Sequence, residues 1–315
     1  MKKMITLFTL LITVLILISC TATKNADIVT TMFPQYDFAT QIVKNKLTVS
    51  LLLPPGVEAH AYESTSKDLV TIEESKLFIF TSLDIDTWIK DPKSLGGDQT
   101  VIMNLSEHYI LEEHEHDDLG AIENIGEHED EDELHFWVDP VIAMQLLDAI
   151  LEEIVQIDPE NETFYRTNAE IYYEELQDLH ESFDTFMQSG YIDVDIFFAG
   201  HNALGLFGKR YHLHIESLFE SFKPDADLTS SELISFTEII KQAGVHILFI
   251  EELAEPKAAD QITNELAKEQ YDLEIFELHA YHNLTKKDLE DGVRYADLLE
   301  RNIEFIKQAL NNNND

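Results

Sequence analysis

DPENETFYRTNAEIYYEELQDLHESFDTFMQ, residues 158–188, is the stretch on which the architecture turns. Asp-Pro-Glu-Asn is a good helix start, because proline's fixed φ and missing N–H suit the first turn. From Glu160 to Gln188, Phe164, Ile171, Leu176, Leu179 and Phe183 recur at helical spacing, and residues 140–187 hold no strand-like run. One long, rigid helix is expected. Before it, strand-like runs at 27–32 (DIVTTM), 47–53 (LTVSLLL), 76–81 (KLFIFT) and 100–104 (TVIMN) alternate with helical patterns at 34–44, 65–74 and 84–90. After it the theme repeats, with strands near 194–199, 213–217, 245–250 and 272–277 and helices at 202–210, 230–243, 257–270 and 286–309. Such alternation is the signature of α/β units around mostly parallel sheets. Two α/β lobes follow, residues 27–157 and 190–315, joined by a connecting helix at 158–189. In open α/β folds ligands bind beyond the carboxyl ends of the strands, so that edge becomes the cleft between the lobes.

The N-terminus reads as an address. Lys2 and Lys3 precede an apolar stretch from Met4 to Ile18, and Ser19-Cys20 closes it. A charged segment, a short apolar segment and a small residue at the cut describe an export signal over residues 1–19. Leu17-Ile18-Ser19-Cys20 resembles a bacterial lipobox, which makes Cys20 the lipidated first residue of the mature chain and residues 20–26 its tether. The chain would then be extracytoplasmic and anchored to the bacterial membrane. A retained membrane anchor is the alternative, although the stretch is marginal for a span. Cys20 is the only cysteine, which excludes an internal disulfide and any multi-cysteine zinc site.

Composition narrows the partners. With 61 Asp+Glu against 21 Lys+Arg the net charge is −40, which a phosphate backbone or an anionic lipid surface would repel, so no nucleic acid is expected. The 13 histidines in so acidic a chain point instead to metal cations. Residues 111–133 hold twelve acids and three histidines with no Lys or Arg, and such a block is expected to be a mobile loop. It is either a solvated insertion or a weak cation trap built on His114, His116 and His128.

Four other histidines stand where strands end or turns begin. His60 follows the Pro-Pro-Gly turn, His135 opens HFWVDP, His201 follows VDIFFAG, and His282 lies in LHAYHNLT. Any one alone is more often a capping or hydrogen-bonded group. Two per lobe at strand ends, converging on one cleft, would give a tetrahedral zinc ion four nitrogens without sulfur. If residues 278–282 stay extended, His279 and His282 fall on opposite faces and only one can enter the cleft.

At these residues the chain resembles the zinc/manganese solute-binding lipoproteins of ABC transporters, the ZnuA/TroA-like family. The resemblance runs over nearly all of residues 27–310, through TMFPQYDFA (31–39), LPPGVEAHAYE (53–63), HFWVDP (135–140), HNALGLF (201–207) and GVRYADLLERN (292–302). It implies two pseudo-symmetric lobes with the metal between them, and His60, His135 and His201 as ligands. A histidine at position 201, where manganese members carry a carboxylate, points toward zinc. His282 falls where zinc members place a glutamate, so the resemblance leaves His282, a carboxylate or water to complete the site. It also implies a transporter permease and its ATPase as partners of a monomeric binding protein.

An enzyme is not expected. A catalytic zinc needs an open position and a nearby base, and no HExxH pair, phosphate loop or GxSxG elbow occurs. Manganese uptake and surface adhesion on the same lipoprotein body are the alternative readings.

Overall fold

The computed structural model describes residues 26–59, 61–111, 134–191, 194–200, 203–217, 228–253 and 255–312. The export signal, Cys20 and nearly all of the acidic run at 111–133 lie outside them. Among the described residues no helix is long and apolar enough to cross a membrane.

Strands β1 (Ile28–Thr30), β2 (Val49–Leu51), β3 (Leu77–Phe80) and β4 (Val101–Asn104) form one sheet in the order β2-β1-β3-β4. Strands β5 (Val194–Phe198), β6 (Leu213–Ser217), β7 (Ile247–Glu251) and β8 (Glu274–Leu278) form a second in the order β6-β5-β7-β8. Every pairing is parallel, with Leu77 opposite Val101 in the first sheet and Ile247 opposite Glu274 in the second. Parallel strands are covered on both faces, which explains why Leu77-Phe78-Ile79-Phe80 is apolar at successive positions and wholly buried. The identical strand order makes the lobes repeats of one plan. Each has its switch point where the central strand and its later neighbour send their loops apart, β1 and β3 in the first, β5 and β7 in the second.

Helices α1 (Phe33–Val43), α2 (Ser66–Glu73) and α3 (Pro140–Ile157) belong to the first lobe, and α4 (Glu162–Gln188) is the long connector. Then come α5 (Gly205–Tyr211), α6 (Ser230–Ala243), α7 (Lys257–Lys268), α8 (Lys286–Asp291) and α9 (Tyr295–Asn312). The inward face of α4 is Tyr165, Ala169, Tyr172, Leu176, Phe183 and Met187, whereas Phe164 and Ile171, expected inside, are exposed. The tyrosines win because their hydroxyls are satisfied on arrival. Tyr165 donates to Asp158 and Tyr172 to Asp37, each at 2.5 Å. Asp37 also accepts from Gln41 Nε2 (2.9 Å) and from the Tyr295 N–H at the start of α9 (3.0 Å), so one buried carboxylate pins α1, α4 and α9 together. Burial raises its pKa, against the lowering by those hydrogen bonds.

Two expected helices differ. Residues 84–90 form turns, because the Asp86 carboxylate accepts the Thr81 N–H (2.7 Å) and the Thr31 hydroxyl (3.2 Å) instead of pointing outward from a helix. The expected helix 286–309 is two, α8 and α9, broken at Gly292, whose φ of 74° caps α8 in the left-handed conformation. The connector begins at Glu162, after a 3₁₀ turn over Pro159–Asn161.

Burial pushes the Asp86 carboxyl up to about 6 despite its hydrogen bonds. Its folded pKa therefore exceeds the ordinary value, so the ionised form weighs against the fold at neutral pH, and that burden lifts as pH falls from about 6 toward about 4. Relative to Asp86→Asn, the wild type should gain about 1 kcal/mol between pH 7 and pH 5. Urea unfolding of both proteins at the two pH values measures this; a pH-independent difference would contradict it.

Candidate metal centre

The lobes meet along the carboxyl edges of both sheets. Trp137 Nε1 donates to the Ala280 carbonyl and the Tyr295 hydroxyl to the Trp137 carbonyl, both at 2.8 Å. Asn283 Nδ2 holds the Pro54 and Val57 carbonyls at 2.7 and 2.8 Å, and the Gly56 N–H donates to the Leu284 carbonyl at 2.8 Å. Gly56 has φ 79°, which the Pro-Pro-Gly turn needs and a side chain would strain. One continuous apolar core draws on both lobes, from Ile28 and Phe38 through Tyr172 to Phe249 and Leu299.

His135 sits at this junction, 3% exposed, at the start of a 3₁₀ turn over Phe136–Val138. Its ring meets Trp137 edge-on at 5.4 Å and His282 at 5.1 Å with the planes 86° apart. Four residues on, Asp139 caps α3 through the Val141 N–H (2.8 Å) and grips Arg210 of α5, accepting from Nε at 3.0 Å and Nη2 at 2.8 Å. That fork ties the turn carrying His135 to the helix that follows position 201. On the same side, the His180 ring hydrogen-bonds the Tyr211 hydroxyl at 2.9 Å.

His282 reaches the junction from the loop after β8. Asn302 of α9 accepts the His279 N–H and donates to the His279 carbonyl and the Tyr281 hydroxyl. Tyr281 stacks on Tyr295 with ring centroids 4.2 Å apart and holds φ at 64°. That left-handed residue breaks the extended alternation expected over 278–282. Both histidines consequently lie beside Glu252, His282 Nδ1 at 2.9 Å and His279 Nδ1 at 3.7 Å from Oε1. Hydrogen bonding separates them instead. His279 Nδ1 accepts the Tyr281 N–H at 2.9 Å, which commits this nitrogen to shaping the loop, and burial lowers its pKa to about 4. His282 turns Nδ1 toward a carboxylate, so in the neutral ring Nδ1 carries the proton and Nε2 the lone pair.

Glu251 ends β7 at the switch point of the second lobe and Glu252 follows it, each 6% exposed. Their carboxylates and a nitrogen of His282 lie within 4.8 Å of one another, the one such group of metal-ligating side chains among the described residues. Gly200, just before position 201, allows the approach of β5, since a β-carbon there would meet the Phe198 ring at 2.8 Å and the Glu251 β-carbon at 3.3 Å. His60 and His201, and the His114, His116 and His128 of the acidic run, lie outside the described residues. His246 stacks on Tyr271, while His212 and His214 are exposed on either side of buried Leu213. Sequence reasoning passed over Asn302 and Arg210, whose partners lie 23 and 71 residues away.

Two lobes of parallel sheet meeting over buried imidazoles and carboxylates define the two-lobed solute-binding class with a metal-type donor set. The particular family is plain: residues 28–309 match the family described as zinc-uptake complex component A, periplasmic, and the chain belongs to it. The high-affinity zinc uptake system protein ZnuA of Bacillus subtilis is 31% identical over 287 residues, 90% of this chain and 87% of that protein. The crystal structure of the metal-dependent lipoprotein YcdH from B. subtilis superposes with a TM-score of 0.72 at 28% identity, over 90% of this chain and 98% of the other. Zn(II)-bound AdcA from Streptococcus pneumoniae gives 0.73 at 25% identity, over 91% of this chain and 58% of AdcA, so this chain spans little more than half of that longer protein. The expected family and fold class are both borne out.

Proposed function

We propose that the protein is an extracytoplasmic zinc-capturing lipoprotein, anchored through Cys20, that delivers the ion to an ABC permease and is not an enzyme. The observation that carries this reading is the buried His135–His282 pair at the lobe junction, backed by Glu252, in a chain of the zinc-uptake family. In this reading His60, His135, His201 and His282 hold the ion, His60 and His135 from the first lobe and His201 and His282 from the second. Nitrogen donors favour zinc over manganese by ligand type and by the Irving–Williams order. Two relatives whose names or structures carry zinc support the same choice. Residues 112–133, with three histidines among twelve acids, supply at most weaker, secondary sites in this reading.

Uptake is the test. At limiting zinc, cells lacking the protein should accumulate radioactive zinc more slowly, with recovery on supplying the wild type and none on supplying His135→Ala. Equal uptake in all three strains would overturn the proposal. Ligation needs neutral imidazoles, so the purified protein's zinc affinity should fall as pH drops through about 6.5. A flat affinity between about pH 7.5 and 5.5 would argue against histidine ligands.

A further inference from the structure

Resting on that reading, we propose that Glu252 is the positioning residue of the centre: it fixes His282 for ligation and supplies, from one imidazole away, the negative charge that a carboxylate ligand would bring. Oε1 accepts both the His282 N–H (3.2 Å) and His282 Nδ1 (2.9 Å), and Oε2 accepts the Ala280 N–H (2.8 Å). Three of roughly four acceptor directions are thereby committed to the loop that carries His282. Direct ligation by Glu252 would require giving up the contacts that hold that histidine.

The backbone on both sides is built around the pair. Leu253, next to Glu252, and Tyr281, next to His282, both adopt positive φ, 61° and 64°. Non-glycine residues keep that conformation only where their surroundings over-determine it. For Tyr281 those surroundings are the Asn302 hydrogen bond and the stack on Tyr295. Chain direction is therefore constrained immediately before the imidazole by these contacts. A carboxylate hydrogen-bonded to a ligating histidine fixes the tautomer and raises the basicity of the other nitrogen. It does so without adding an oxygen to the ion, so the centre gains charge compensation while keeping the nitrogen donors that disfavour manganese.

A double-mutant cycle on the full chain, with zinc affinity measured by competition against a chelating dye, tests this. Glu252→Gln keeps the shape and one acceptor but removes the charge, and should weaken zinc binding by about 10- to 100-fold. Glu252→Asp, which keeps the charge, should lose less. In a His282→Ala background Glu252→Gln should cost nothing further, because the residue acts through that ring. Equal losses in both backgrounds, or no loss from Glu252→Gln where His282→Ala does weaken binding, would overturn the role of Glu252 and leave His282 as a ligand. No effect of His282→Ala would remove His282 from the ligand set, and Glu252 with it.

Discussion

Asp139→Ala is expected to lower the stability of the metal-free protein by about 3–5 kcal/mol, the cost of leaving a buried charge without its partner. The Asp139 and Arg210 side chains are 5% and 11% exposed, so water cannot replace the lost carboxylate. The same oxygen pair caps α3 at Val141, and losing a helix cap adds about 1 kcal/mol. Asp139→Asn keeps the cap and should recover only that smaller part. Adding Arg210→Leu to Asp139→Asn should restore more, because an apolar replacement removes the stranded charge. Equilibrium unfolding in urea, with unchanged dependence on denaturant, measures all three. A loss under about 1 kcal/mol for Asp139→Ala would mean that the pair is solvated and does not clamp the lobes.

His135→Ala should weaken zinc binding by more than about a hundredfold, beyond what changing an outer partner of a ligand does. The ring lies 5.1 Å from that of His282 and packs against Trp137, within a contact that joins the lobes through the Ala280 carbonyl. Removing it deletes a donor while the Trp137 hydrogen bonds across the junction remain. The metal-free variant should therefore unfold close to the wild type, while the extra stability conferred by excess zinc shrinks by at least about 2.7 kcal/mol. Thermal unfolding with and without zinc reads both quantities. An undiminished zinc-induced shift would remove His135 from the ligand set.

The strands were legible because parallel, doubly covered strands leave continuous apolar runs, as in Leu77–Phe80. The connector was legible from its proline start and its period, but its inward face was not. Tyr165 and Tyr172 displaced Phe164 and Ile171 because Asp158 and Asp37 await their hydroxyls, a fact set by tertiary structure. The split between α8 and α9 left a readable signal in Gly292, whereas the turns at 84–90 did not, since Asp86 reaches Thr31 only once β1 and β3 are paired. Of the histidines at strand ends, the structure brings His135 and His282 together at the lobe junction. The division of labour between His279 and His282 was hidden, because it depends on the left-handed backbone at Tyr281 and on Glu252 arriving from β7. Strand alternation alone separates two such residues onto opposite faces.

The central claim, that this chain captures zinc in a nitrogen-rich centre between its lobes, is tested most directly by the metal content of the purified wild-type protein. Produced in medium with balanced zinc and manganese and dialysed against metal-free buffer, it should retain about one tightly held zinc per chain, as one tetrahedral four-histidine centre requires. His135→Ala, prepared in parallel, should retain far less. Manganese in place of zinc, or equal zinc in the two proteins, would contradict the account.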